Sequence, residues 1–233
     1  MFEIDNVQLE NLFDAELAWE SLPFLLEGVP MTISLAIIGM VIGLILGFFI
    51  ALARGSNTIL LRWPSRLYIS FMRSTPIIAF LFLIYFGLPI IGIKLTAFVA
   101  ASIAFGLNSA GYIAEIYRAA LLSVDKGQWE AAKALNIGYW KTMRKIILPQ
   151  AIRIAIPPLA NVFLSVMLGT SLAAIITVPE LFQKAQIVAG RTFDAMTMYI
   201  TIMLIYWPIG IAINFLQERL EARYSKFIKP EIR

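Results

Sequence analysis

VPMTISLAIIGMVIGLILGFFIALA, residues 29–53, carries no charged side chain. About 20 apolar residues at the helical rise cross the roughly 30 Å hydrocarbon core of a bilayer, so this stretch reads as a transmembrane helix. Its glycines, Gly39, Gly43 and Gly47, recur every fourth residue and leave one smooth face. In lipid, where water drives no helix association, such a face lets two backbones approach closely.

Four further runs follow, at approximately 76–93, 96–116, 154–178 and 196–216, the first of them preceded by an amphipathic stretch from Leu60 to Met72. Composition agrees with five spans: 60% of the residues are hydrophobic and 15% charged, against roughly 25% charged in soluble domains. The fold expected is all-α and integral to the membrane, one transmembrane domain over 1–233. Ala15 to Leu26 is too acidic and interrupted to cross and reads as an N-terminal interfacial helix. Ser74-Thr75-Pro76 reads as a cap followed by a proline opening the second span.

The chain has no cysteine and no histidine. That excludes disulfides, thiolate metal sites and the Ser-His-Asp arrangement, so neither a catalytic nor a metal site is expected. No G-x-x-x-x-G-K-[ST] stretch is present, so ATP hydrolysis is not expected of this chain. Nucleic-acid binding is not expected either, because the basic residues border the apolar runs.

Their distribution sets an orientation. Every charge before the first run is negative: Glu3, Asp5, Glu10, Asp14, Glu16, Glu20 and Glu27. Nothing there resembles the basic start of a signal peptide. Arg54, Arg62, Arg66 and Arg73 follow the first run. Arg118, Lys126, Lys133, Lys141, Arg144, Lys145 and Arg153 fill the loop between the third and fourth, and Arg219, Arg223, Lys226, Lys229 and Arg233 lie in the tail. Lys94, Lys184 and Arg191 alone remain for the other side. Positive loops stay in the cytoplasm, which puts the N-terminus outside and the C-terminus inside a bacterial plasma membrane. Arg73 falls at the inner surface, where it either anchors the chain or controls passage.

The long cytoplasmic loop, 118–153, is not a passive connector. Asp125 and Gln128 have capping-box spacing, and Gln128 to Leu135 reads as a short helix. Asn136 can end it in the left-handed conformation. Gly138 gives a second flexible point, and a basic helical stretch from Tyr139 leads to Leu148 and Pro149. Two short helices about a sharp turn would form a knob suited to a soluble partner.

Glu130-Ala131-Ala132, three residues, Asn136, nine residues, Ile146, one residue and Leu148-Pro149 resemble the EAA motif of ABC importer permeases. The family has glycine where this chain has Asn136. The resemblance extends to the polar-amino-acid branch, of histidine, glutamine and cystine type, through Arg73–Pro76, Asn108–Arg118, Thr170–Leu172 and Val178–Phe182. It implies a type I importer fold and a coupling helix seated in a groove of an ABC ATP-binding subunit, two per complex, which holds ATP and Mg. Glu130, Ala131, Ala132, Asn136, Gly138, Leu148 and Pro149 would form or support that element. A dimer with an identical or sister permease follows as well, because five spans do not enclose a path alone. An extracytoplasmic substrate-binding protein would dock on the outer loops near Lys94 and from Glu180 to Arg191, which otherwise read as solvated connectors.

Polar side chains inside spans face protein or a water-filled path. Asn108, Tyr112 and Glu115 share one helical face, with Ser109 beside them, and Asn108 lies about 18 Å below Thr96. Asn108 either meets substrate or bonds a neighbouring helix. Glu115 either pairs with Arg118 at i+3 or receives a substrate ammonium group. Pro157 and Pro158, followed by Asn161, Ser165, Gly169, Thr170 and Ser171, imply an interrupted fourth span whose free backbone groups line the path. The family commonly has Lys-Asp where this chain has Leu168-Gly169. Loss of that acid points to a substrate without a cationic side chain, such as cystine. A secondary transporter or channel is disfavoured because only Glu115 is ionisable at membrane depth and no repeat is evident. A membrane enzyme lacks the side chains for catalysis.

Overall fold

The computed structural model describes residues 12–225; Glu3, Asp5, Glu10, Lys226, Lys229 and Arg233 of the charged termini lie outside them. Among the described residues ten α-helices make up the body: α1 (Ala15–Leu26), α2 (Val29–Gly55), α3 (Ile59–Ser74), α4 (Ile77–Phe82), α5 (Ala97–Leu122), α6 (Lys126–Ala134), α7 (Tyr139–Thr142), α8 (Leu148–Gly169), α9 (Leu181–Thr192) and α10 (Ala195–Ser225). The interfacial helix has the bounds expected of it. Four segments are individually long and apolar enough to cross a membrane: Val29–Gly55, Ala97–Leu122, Tyr139–Ile176 and Ala195–Leu220.

The fifth run, expected as one helix at 76–93, is not one helix. α4 passes into a π-turn (Leu83–Gly87) and a 3-10 turn (Leu88–Ile91), and Ile77–Ile91 bends by 108° from α3, with which alone it reaches the length and apolarity of a span. The proline does not open α4 at its first helical position. Thr75 ends α3, and Pro76 (φ −63°, ψ 127°) occupies the cap of α4. A residue preceding proline is pushed to extended backbone, which places the bend here.

Helices overrun the expected spans at the end nearest α6, since hydropathy marks hydrocarbon depth and not where a helix stops. α5 continues to Leu122, and the fourth span begins far before 154. α8 also runs unbroken through Pro157 and Pro158, against the expected interruption. Breaking a helix in hydrocarbon would expose more backbone groups than two prolines do, so the helix persists. The change comes later, at Thr170, where the chain tightens into a 3-10 run to Ile176.

α5 is the central helix: 61% of its apolar window is buried, against 33%, 33% and 28% for the other three spans. Small residues make this possible, with Ala100, Ala101, Ala104, Ala110 and Ala114 all sealed from solvent. α2 lies against it along the glycine face. A Cβ on Gly39 would stand 3.0 Å from Phe105 Cβ, and one on Gly47 2.8 Å from Ile113 Cγ2.

At the opposite end from α6, α9 replaces what read as an outer connector. Its Leu181, Ala185 and Ala189 pack with Leu25, Met198 and Ile202. Glu180 caps it and is fully buried. Its carboxylate accepts from the backbone N–H groups of Gln183 (2.7 Å) and Phe182 (2.9 Å), and from the Tyr206 hydroxyl (3.0 Å). The Thr32 hydroxyl, 3.5 Å away, in turn accepts the Leu181 N–H at 3.1 Å. α2, α9 and α10 are thereby tied at one point. Gly28 must be glycine there, because a Cβ would lie 2.6 Å from the Leu181 nitrogen.

Glu180→Ala is expected to destabilise the chain by about 2–3 kcal/mol, the cost of stranding buried donors. Thermal melting in detergent should drop for Glu180→Ala and less for Glu180→Gln, which keeps one acceptor oxygen. Unchanged melting for both would mean the cluster carries no stability.

Candidate functional site

Five of the eight residues expected on the path converge. Asn108, Ser109 and Tyr112 of α5 and Ser165 and Gly169 of α8 line a cleft of about 320 Å³, together with Asn161 and with Ile77, Phe105, Val162 and Val166. Amide and hydroxyl side chains share the lining with apolar ones. Both open alternatives for Asn108 have structural content: it borders the cleft while its Nδ2 donates to Met72 O at 2.8 Å. Ser109 is almost buried, its hydroxyl donating to Gly106 O at 3.1 Å. Asn161, read with Ser165 and Gly169 on the fourth span, accepts from Gln217 Nε2 of α10 at 3.2 Å.

The other three lie elsewhere. Thr170 is sealed and donates to Met167 O at 2.7 Å, one turn back on its own helix. Ser171 faces the far side, in a groove between α8 and α10 with Leu168, Tyr206 and Trp207. The 3-10 winding from Thr170 turns both away from the face of Ser165. Glu115 sits below the cleft, gripped by Arg54 Nε at 2.6 Å and Arg118 Nη2 at 2.8 Å. Arg118 was one of its two expected partners; Arg54, from the end of α2, was not foreseen. The carboxylate therefore bolts α2 to α5. Arg73 stacks its guanidinium 5.5 Å from the Tyr112 ring centre.

The knob of the long loop forms as a helix and turn, with two corrections. Asp125 caps α6 by accepting the Gly127 N–H at 2.6 Å, and Gln128 meets only the Asp125 backbone oxygen, so the expected box is a simple cap. The second helix is not separate. α7 passes through a π-turn (Met143–Ile147) straight into α8, because Pro149 falls in the first turn, where its missing N–H costs nothing.

Asn136 adopts φ +52°, and the following N–H of Ile137 reaches back to Ala132 O at 2.9 Å, closing α6 as expected. Gly138 is extended (φ −61°, ψ 151°), a conformation open to any residue. Trp129 stacks on Tyr139 at 5.6 Å and Ala132 is buried beneath, fixing α6 to the root of α8. Glu130, Ala131, Leu135, Asn136 and Trp140 remain exposed on the outer surface. Leu148 borders an apolar side cavity of about 380 Å³ with Phe48 and Tyr117.

Residues 39–226 match the sequence profile of the family described as binding-protein-dependent transport system inner membrane component. A probable amino-acid ABC transporter permease protein, YckA of Bacillus subtilis, is 54% identical over 97% of this chain and 100% of its own length. The L-cystine transport system permease protein TcyB of the same organism is 42% identical over 88% of each chain. The glutamine transport system permease protein GlnP of Escherichia coli is 35% identical over 91% of this chain and 97% of its own.

Among solved structures, an amino acid ABC transporter crystallised with histidines superposes with a TM-score of 0.86 at 33% identity, over 90% of this chain and 98% of that one. The MetNI methionine ABC transporter in an inward-facing conformation shares the fold, with a TM-score of 0.69 at 22% identity over 91% of this chain and 99% of the other. With an all-helical membrane body, an exposed knob carrying the motif and a full-length match, the chain belongs to the binding-protein-dependent transport system inner membrane components, the multi-pass permease subunits of ABC importers.

Proposed function

We propose that this permease carries amino acids with uncharged side chains, cystine and similar bulky neutral amino acids among them, through the cleft between α5 and α8. The observation that carries the reading is the cleft itself, with amide and hydroxyl groups but no ionisable carboxylate among the residues that line it. Gly169 leaves open the volume at its rim. The names of two relatives, a cystine and a glutamine permease, support a neutral side chain.

Asn108, Tyr112 and Ser165 hold the polar end of the substrate, and Ser109 and Gly169 shape the wall. Glu130, Ala131, Ala132, Asn136, Gly138, Leu148 and Pro149 build the surface that meets the ATP-binding subunits, two per complex, in which ATP and Mg act. A second permease, identical or sister, closes the path, and a substrate-binding protein delivers from the outside. The N-terminus is outside and the C-terminus cytoplasmic, a reading supported by Arg54 near the end of α2 and Arg118 near the end of α5, which meet at Glu115.

Uptake by the reconstituted complex, competed with a panel of amino acids, tests this. Neutral amino acids are expected to compete and arginine or lysine not to. Gly169→Asp places a carboxylate at the cleft and is expected to raise competition by cationic amino acids about tenfold, the value of roughly one new charged hydrogen bond. Preference of the wild type for arginine or lysine would overturn the substrate assignment.

A further inference from the structure

α3 presents three distinct faces. Ser65, Ile69 and Met72 are buried against the body. Trp63, Leu67 and Phe71, with Leu60, point outward and are exposed. Between these faces runs a polar stripe, Arg62, Arg66, Ser70 and Arg73, at spacings of four, four and three along one side of the helix. Arg66, Ser70 and Arg73 open into a cleft of about 600 Å³ that Arg54 and Glu115 close from α2 and α5.

The charges there do not balance. Three guanidinium groups face one carboxylate, and Glu115 is already held by Arg54 and Arg118. Arg73 leans on the Tyr112 ring, a contact that leaves its N–H groups available. Among the described residues neither Arg66 nor Arg73 forms an ion pair. The outward apolar face sets the depth: an amphipathic helix with Trp and Leu on one side and arginines beside them lies in the interface, its cations at headgroup level. Basic pockets between helices at the cytoplasmic surface attract anionic headgroups, and arginine matches phosphate with paired donors.

We infer that this cleft binds the phosphate of an anionic phospholipid, gripped by Arg66 and Arg73 with Ser70 as a hydroxyl donor, its acyl chains lying along Leu67 and Phe71. The assignment of the leaflet as cytoplasmic rests on the orientation proposed above; the binding itself does not.

The complex is reconstituted in nanodiscs of mixed phosphatidylglycerol and phosphatidylcholine, and the lipid retained after extraction is counted by native mass spectrometry. Both leaflets carry the same lipid, so a wrong orientation leaves the readout intact and is found separately by labelling single introduced cysteines from either side. The wild type is expected to retain phosphatidylglycerol over phosphatidylcholine. Arg66→Gln should lower the retained phosphatidylglycerol at least threefold, and Arg66→Lys should restore part of it. Arg62→Gln removes the same charge from the same stripe outside the cleft and should change nothing. Equal losses in Arg62→Gln and Arg66→Gln, or none in Arg66→Gln, overturn the site. Displacement of the lipid by glycerol phosphate at millimolar concentration would overturn a lipid in favour of a soluble anion.

Discussion

Gly43→Leu is expected to yield no detergent-stable chain. A Cβ at this position already collides with the Ser109 hydroxyl and stands 3.0 Å from Ile113 Cδ1, and a leucine adds three further carbons in the same direction. Neither helix can yield locally, because Gly39 and Gly47 on the same face are equally close to α5. The two helices must separate along their length, which also pulls Ser109 from the cleft. Overpacking costs about 3 kcal/mol at the upper end of its usual range, and here it strikes the contact of α2 with the central helix. Size-exclusion profile and melting temperature report it, with Gly43→Ala intermediate. Gly190→Ala is the control, since nothing lies within 4 Å of its Cβ position. A normal profile for Gly43→Leu would show that α2 and α5 do not meet as described.

Ala131→Trp is expected to abolish transport while leaving the chain folded. Ala131 is exposed on α6, whereas its neighbour Ala132 is buried beneath the helix. A tryptophan at 131 therefore adds bulk only to the outer surface and disturbs no internal contact. If that surface seats against the ATP-binding subunit, close approach is lost, and a bulky group in the centre of an interface costs several kcal/mol. Co-purification of the ATP-binding subunit and substrate-stimulated ATP hydrolysis should both fall by more than tenfold, with the melting temperature of the isolated chain unchanged. Normal co-purification would remove the knob from the coupling surface.

Legibility in the sequence followed how local each determinant is. Asn136 was readable because few residues other than glycine adopt positive φ, and its offset from Glu130 fixed where a helix had to stop. The glycine face of α2 was readable for a similar reason, since a fourfold spacing of missing side chains has one geometric meaning. Glu180 was not. A single glutamate after Val178-Pro179 resembles any solvated connector, and its partners Thr32 and Tyr206 are 148 and 26 residues away in sequence. Arg54 as a partner of Glu115 was hidden likewise, while Arg118, three residues off, was in view. Pro157 and Pro158 misled because proline rules learned in water overstate the cost of keeping a helix where no water competes. Thr170 and Ser171 were grouped with Ser165 and Gly169 by composition, and the tighter winding that parts them leaves no mark in composition.

From Tyr139 to Ile176 the backbone stays helical for 38 residues, on the order of 55 Å of stiff rod. Its foot is cemented to α6 through Trp129, and its upper third carries Ser165 and Gly169. A sideways shove of roughly 1–2 Å at the foot, ordinary for helices in switching proteins, becomes a tilt of the whole shaft. One continuous backbone thus connects the exposed knob with the cleft between α5 and α8.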